Sequence, residues 1–462
     1  MRRRTAAGTA SETKGTTMYG TGATTSSKRS RVLLVTHHYP PEHGAPQRRW
    51  DTLTPRLMDA GVDVAVLTPP PHYPSGRLQD AAADHRPGSV SRGRHGERVV
   101  RTRFRPHAAD LLSRTVDQAV AAASAVVLGL RHFRQRAERP DVVVGTVPGI
   151  PSMFAAWLLA RLLRARLVIE MRDAWPDLIE PSGVFDARRS AASRALAGAR
   201  ALVHRAVTRL QSRADAVVTT TETFAQVLLE RGVRRVAVVR NGTSFQPLTA
   251  DDVADELADG LPDDAPPDRP LRVVYAGTVG RAQDLQSVVR AAAQVARRGL
   301  RLDVRIVGAG ARVPFLEGLV AELDAPVTFV GAVPHDAIRR YYAWADTVVV
   351  SLRDWKPLEW TVPSKLYEVM ASGAYATACV AGEAAALVQR SGAGSVVPPG
   401  DVDALTELWS GWASSGDVPA ADPRAAEWVA RNADDDTLAA RYLDLLRELT
   451  GPTARPGDMA AR

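Results

Sequence analysis

The chain has a single cysteine among 462 residues, Cys379, set in an apolar run from Tyr375 to Val380. An intramolecular disulfide is therefore excluded, and a buried thiol in a reducing, cytoplasmic setting is expected. Long apolar runs are also missing. The uncharged internal stretch Gln118 to Leu130 has 13 residues, short of the roughly 20 that a membrane-spanning helix needs. A core helix is expected there. The first thirty residues are Thr, Ser, Gly and Arg with almost nothing apolar, so they read as a disordered tail, or as an over-long start ahead of Met18, and not as a secretory signal. Zinc-ligand spacing, an RNA-binding aromatic pair and a recognition-helix pattern are all lacking, which argues against a nucleic-acid partner.

What remains is ordinary globular material, 45% hydrophobic and 24% charged, long enough for two domains. The net charge of +8 is arginine-weighted, over Arg48, Arg49, the segment Arg188 to Arg213, Arg234, Arg235 and Arg240. It suits anionic partners without selecting one. From Arg31 the sequence alternates strand-like runs with amphipathic stretches: VLLVT, DVAVLT, VVVGT, LVIEM and AVVTT. This is the βαβ rhythm of a parallel sheet, and it predicts a doubly wound domain over 31–245. An Asp- and Pro-rich stretch over 246–270 predicts a linker. The rhythm restarts with RVVYAG, DVRIVG, VTFVG, TVVVSL and AYATACV, giving a second Rossmann-like domain over 271–422. Helices are expected over 423–449, the last of them free to cross back to the first domain, and a flexible tail over 450–462. The fold class is thus α/β, with two parallel-sheet domains facing across a cleft and ligand at the carboxyl ends of the strands.

The block from Pro357 to Glu383 carries most of the chemistry. Ser364 is expected as the N-cap of a helix, with Lys365 beside it, forming an anion seat from unpaired N–H groups and an ammonium. Glu368 falls on roughly the face of Lys365, placed to accept from hydroxyls attached to that anion. A diphosphate bearing a ribose fits. In isolation the same pattern is also a capped surface helix with an internal ion pair. Other residues that follow strands are Gly44, Arg172 with Asp173, Gly277 to Arg281, and Gly308 to Gly310. Asp173 fits either a cleft role or a helix cap, and Gly308 to Gly310 reads as a tight turn. His37, His38 and His43 sit in one loop without further ligands and read as polar lining.

At these residues the chain resembles the retaining glycosyltransferases of the GT-B fold, family 4, in the branch that builds bacterial surface polysaccharides. The strings are HHYPPEHGAPQRR, VLTPPPHYPSG, IEMRDAWPD, VVRNGTSF, YAGTVGRAQDL, IVGAG, VTFVGAVPHDAI, ADTVVVSL, VPSKLYEVMASG and GEAAALV, in family order from about Arg31 to about Asp401. The resemblance implies a nucleotide diphosphate sugar held mainly by the second domain. Glu368 would take the ribose; Lys365 and the amides near Ser364 and Gly382, with Glu383 beside them, would face the diphosphate. Gly277, Gly280 and Arg281 would line the same pocket, Gly331 and Val333 would border the base, Gly44 would let backbone approach the phosphates, and Asp173 with Arg172 would lie near sugar and acceptor. Glu359 would be the first of the family's two glutamates, although one residue more than usual separates it from Glu368. The loop GRAQDL lacks the usual lysine, for which Lys365 would compensate.

The acidic clusters Asp251 with Asp252, Asp263 with Asp264, and Asp434 to Asp436 lie in the linker or near the C-terminus, not after a strand. Metal-independent transfer is therefore expected, with no cofactor besides the donor substrate, and with Lys365, Arg281 and the helix start supplying positive field. The acceptor would be a cell-surface glycan, a glycolipid or a polyprenyl-linked sugar, with peripheral membrane contact through 188–213. A nucleotide-sugar 2-epimerase of the same fold and a catalytically silent nucleotide-sugar-binding subunit are the competing readings.

Overall fold

The computed structural model describes residues 29–451, apart from 43, 74, 80, 81, 109, 110, 180–190, 247 and 250–268. The expected N-terminal and C-terminal tails, most of the linker with its aspartate pairs, and the start of the 188–213 segment lie outside the described residues. Two lobes result, each built on one sheet.

The first lobe holds strands β1 (Arg31–Val35), β2 (Asp63–Thr68), β3 (Val90–Arg92), β4 (Arg98–Arg101), β5 (Val142–Val147), β6 (Arg166–Met171), β7 (Ala216–Thr219) and β8 (Val236–Val238). Their order is β3-β4-β2-β1-β5-β6-β7-β8, and all pairs are parallel except β3 with β4. Central strands such as β5 are buried at every position, which is why they read as continuous apolar runs. β3, β4 and β8 escape the sequence reading because they are three or four residues long and interleaved with arginine or only half-buried. The helices are α1 (Ala45–Asp59), α2 (Leu111–Phe133), α3 (Ile150–Leu163), α4 (Ala191–Gln211) and α5 (Glu222–Glu230).

The second lobe orders β9 (Leu271–Ala276), β10 (Leu302–Val307), β11 (Val327–Gly331), β12 (Thr347–Ser351), β13 (Ala376–Cys379) and β14 (Gly394–Val397) as β11-β10-β9-β12-β13-β14, all parallel. Its helices are α6 (Leu285–Arg297), α7 (Val313–Leu323), α8 (Ile338–Trp344), α9 (Ser364–Ser372), α10 (Gly382–Ser391), α11 (Val402–Ser415) and α12 (Arg424–Asn432). A final helix, α13 (Asp435–Thr450), leaves this lobe. Its Leu438, Tyr442, Leu445 and Leu446 join Val32, Leu34, Trp50, Leu53 and Leu57 in one buried cluster against the first sheet. The opposite face of that sheet packs under α2 and α3, where Ala121, Ala122 and Ala125 bury the middle of the uncharged stretch. Cys379 is buried against α11.

Candidate active site

The carboxyl ends of β9 and β10 approach so closely that only backbone fits between them. Gly277 and Gly308 hold φ of 143° and 145°, and a Cβ on Gly308 would strike the Gly277 carbonyl. Glycine is required by both the angle and the space. Into this turn reaches Lys365. Its Nζ donates to the Ala276 carbonyl at 2.8 Å, stands 3.7 Å above the Tyr275 ring, and occupies the place of a Gly277 side chain. The loop that lacks its own lysine therefore receives one from α9. Burial pushes the Lys365 ammonium down to about pKa 7, with Glu368 acting in the opposite sense.

Helix α9 begins differently from the sequence expectation. Pro363, with φ −59° and ψ 134°, takes the N-cap position, so Ser364 is the first helical residue and its hydroxyl caps nothing. The proline supplies the extended entry and leaves Ser364 facing the cleft. There it lines a cavity of about 80 Å³ between the lobes, together with Arg48, Arg49, Arg172, Asn241, Gly242, Thr243 and Ser244.

The opposite wall is Arg172, directly after β6 and only 9% exposed. Its Nη2 makes one long contact, 3.4 Å to Asn241 Oδ1, while Nε and Nη1 are buried without any hydrogen-bond partner. Burial, then the neighbouring Arg49, pushes its pKa down to about 10. Arg49 is fully engaged: Nε donates to Glu170 Oε1 at 2.7 Å, Nη1 to the Arg240 carbonyl at 2.6 Å and Nη2 to the Val239 carbonyl at 3.0 Å. Trp50 Nε1 satisfies the other Glu170 oxygen at 2.9 Å. One buried arginine is a strut; the other has donors to spare. Asp173 caps no described helix. It is exposed, and protein crowding around it raises its pKa, with Arg172 pulling the other way.

Among the described residues, two ion pairs cross between the lobes. Arg48 Nη1 donates to Glu368 Oε1 at 2.8 Å and lies 3.2 Å from His335 Nε2. On the far side Arg240 Nη1 meets Glu383 Oε1 at 2.8 Å, and Glu383 Oε2 accepts from Thr223 N at 2.7 Å. Burial works to raise the Glu383 pKa, but these bonds hold it below the usual carboxylate range. Glu383, expected at the diphosphate, thus has its carboxylate committed between α5 and Arg240.

The remaining candidates divide. Gly382 has φ 62° and lies against the Glu359 carbonyl, where no Cβ fits. Glu359 itself pairs with Lys356 at 2.6 Å on a short 3-10 turn, Lys356–Trp360, and does not join Glu368. Arg281 is exposed in the Gly277 loop and contributes positive potential at Arg312 together with Arg353. Gly280 lies against Gln283 in the same loop. Gly331 ends β11 and passes its carbonyl to Gly308 N at 2.7 Å, and Val333 is half-buried beside the core. Gly44 precedes α1 in extended backbone, φ 171°, which other residues adopt equally. Arg48, named from sequence only among the scattered basic residues, and Asn241 and His335, present only inside the strings VVRNGTSF and VTFVGAVPHDAI, were given no site role from sequence.

The sequence matches two family descriptions, Glycosyl transferase 4-like domain over residues 44–242 and Glycosyl transferases group 1 over residues 270–410. The chain is a glycosyltransferase of GT-B architecture. Solved structures share this fold. Sucrose-phosphate synthase of Thermosynechococcus elongatus superposes with TM-score 0.66 at 20% identity, covering 91% of this chain and 99% of that one. HepE of Anabaena, in complex with UDP-glucose, gives TM-score 0.61 at 15% identity over 91% and 100%. WaaG, a glycosyltransferase of lipopolysaccharide biosynthesis, gives 0.58 at 14% over 90% and 99%. No curated protein sequence matches the chain.

No helix among the described residues of this GT-B enzyme is long and apolar enough to cross a membrane. Helix α4 exposes Leu202 and Val203 beside Arg205 and Arg209, and α3 exposes Phe154 and Leu162.

Proposed function

We propose that this glycosyltransferase moves a hexosyl or N-acetylhexosaminyl group from a nucleoside diphosphate sugar to a surface glycan, glycolipid or polyprenyl-linked acceptor, with retention and without a metal at the diphosphate. The observation that carries the reading is the pairing of Arg172, with two unpartnered buried N–H groups, and the Ser364 helix start with Lys365 behind it on the facing wall. Buried donors without acceptors carry a desolvation cost unless an anion completes them. A diphosphate is the anion of the right span and charge. Glu368 would take the ribose hydroxyls in place of Arg48, freeing Arg48 for the phosphates; Gly331 and Val333 would border the base, and the uridine diphosphate glucose held by HepE supports a hexose donor.

In the transfer step the anomeric carbon–oxygen bond breaks and its electron pair leaves on the diphosphate, where Arg172, Lys365, Arg281 and the helix dipole stabilise it. The acceptor hydroxyl forms the new bond from the same face and passes its proton to the departing phosphate oxygen. Asp173 orients the acceptor. The exposed apolar and basic surface of α3 and α4 suits peripheral contact with an anionic inner membrane face, and so an acceptor carried there.

The test is a thermal-shift panel of nucleotide sugars on the full chain, followed by donor consumption with and without acceptor. Ligand stabilisation grows with the logarithm of occupancy, so one donor should stand out. Consumption that needs no acceptor would indicate epimerisation instead, and binding without consumption a silent subunit.

A further inference from the structure

The first lobe contains a second cluster of chemistry that the donor site does not use. Sequence alone shows His37 and His38 in one loop, without further ligands. The fold adds His72 from the loop after β2, Asp117 from the first turns of α2, and His107 from the segment before α2. One donor atom from each of His37, His72 and Asp117 lies within 4.8 Å of the other two. All three side chains are sealed, with 4%, 1% and 0% of their surface exposed.

Hydrogen bonding decides which of these atoms are available. His72 Nδ1 stands 2.9 Å from the Pro70 carbonyl. A carbonyl only accepts, so Nδ1 carries the proton and the lone pair sits on Nε2, which is buried with no partner. His107 repeats the arrangement, with Nδ1 2.8 Å from the Ala108 carbonyl and Nε2 4.0 Å from Asp117 Oδ2. Asp117 gives Oδ1 to Arg105 N at 2.8 Å. Its Oδ2 faces His37 Nε2 at 3.1 Å and no other donor among the described residues. Backbone carbonyls fix the outer nitrogen of His72 and His107 and leave a lone pair turned inward, the support that metal-binding histidines use; His37 has no such carbonyl, its Nδ1 being buried without a partner.

A neighbouring trio, His38, Glu42 and His72, has similar spacing but a different chemistry. Glu42 already accepts from Gln47 Nε2 at 2.8 Å, His72 N at 2.6 Å and Tyr73 N at 2.8 Å. Its oxygens are spent. The contrast singles out the first trio.

We propose that His37, His72 and Asp117 bind a divalent transition-metal ion of the zinc type, with His107 alongside as a fourth donor. Two or three imidazoles and one carboxylate form a nitrogen-rich set that favours zinc or cobalt over magnesium or calcium. Zinc–ligand distances near 2.0–2.1 Å place tetrahedral ligands roughly 3.3 Å apart, so the trio, within 4.8 Å as it stands, needs to contract by up to about 1.5 Å. The ion would pin the carboxyl ends of β1 and β2 to the start of α2. It sits in the first lobe, where His37 shares a small cavity with Arg172, and the inference does not rest on the proposed sugar transfer.

The experiment is metal titration of the full chain after chelator treatment, with no sugar donor present. Cobalt(II) should bind at one equivalent with the visible absorption of a four-coordinate site, and zinc should displace it. The melting temperature should rise with the logarithm of zinc concentration. His72→Ala and Asp117→Asn should each weaken binding at least tenfold, while circular dichroism checks their folding. X-ray absorption of the zinc-loaded wild-type protein should show at least two imidazoles, and this readout stands even where a variant does not fold. No stoichiometric uptake at micromolar metal, undiminished binding by both folded variants, or an imidazole-free zinc shell would each overturn the proposal.

Discussion

The two ion pairs that cross between the lobes have the same chemistry, arginine to glutamate at 2.8 Å, and opposite settings. Arg240 and Glu383 are each 9% exposed, with Trp428 5.2 Å beneath the guanidinium and backbone N–H groups of α5 on the carboxylate. Arg48 is 47% exposed and touches Glu368 through one nitrogen. The first is a permanent bolt; the second is a latch over the cavity that a donor has to enter. A desolvated pair costs more to break than a solvated one, so the two contacts should respond unequally to removal.

Breaking the bolt gives the largest expected effect. Glu383→Ala leaves Arg240 buried without its carboxylate and should cost about 3 kcal/mol or more of stability, read as a lowered denaturant midpoint at unchanged slope. A loss below 1 kcal/mol would mean the two pairs are alike. Next come the donor contacts. Lys365→Ala, Glu368→Ala and Arg172→Ala should each reduce transfer at least tenfold, since a charge-assisted contact is worth about 1.5–3 kcal/mol. Arg172→Ala should do so with little loss of stability, because its Nε and Nη1 bond nothing in the folded chain. Near-wild-type transfer in all three would remove the donor site from this cavity.

The pH response sharpens the contrast further. Lys365 is lowered from 10.5 to about 7, so the folded state binds fewer protons than the unfolded one between those values, and stability should rise with pH across that window. Lys365→Met should abolish that slope. Diphosphate binding runs the other way: it needs the charged ammonium, so it should weaken as pH rises above about 7 and be accompanied by proton uptake, which calorimetry in buffers of different ionisation enthalpy detects. The smallest effect is expected at the latch. Arg48→Ala removes a half-exposed pair worth under about 1 kcal/mol and should leave the melting temperature almost unchanged while altering donor KM more than stability.

Both sheets were legible in the sequence because parallel strands buried on two faces leave uninterrupted Val, Ile and Leu runs, as in β5 and β12. β8 and β14 were not, because short edge strands need little apolar content. At the site, Arg172 stands out because it follows a strand, Lys365 because it opens a helix, and Glu368 because it lies one turn on from Lys365 on the same face. Ser364 was misassigned as a cap because a proline at that position provides the extended geometry without a side-chain acceptor. His72 and Asp117 were beyond reach for another reason. They lie 35 and 80 positions from His37, and only the pairing of β1 with β2 and the packing of α2 bring them together.

Helix α13 fills the underside of the first sheet but follows the entire second lobe in the sequence. During synthesis the acceptor half therefore emerges with Leu34, Trp50 and Leu57 uncovered, and it stays so until the donor half has been made. Any fragment ending before residue 435 should be sticky and short-lived, and a chain extended beyond its last helix should tolerate the addition far better than one cut within it.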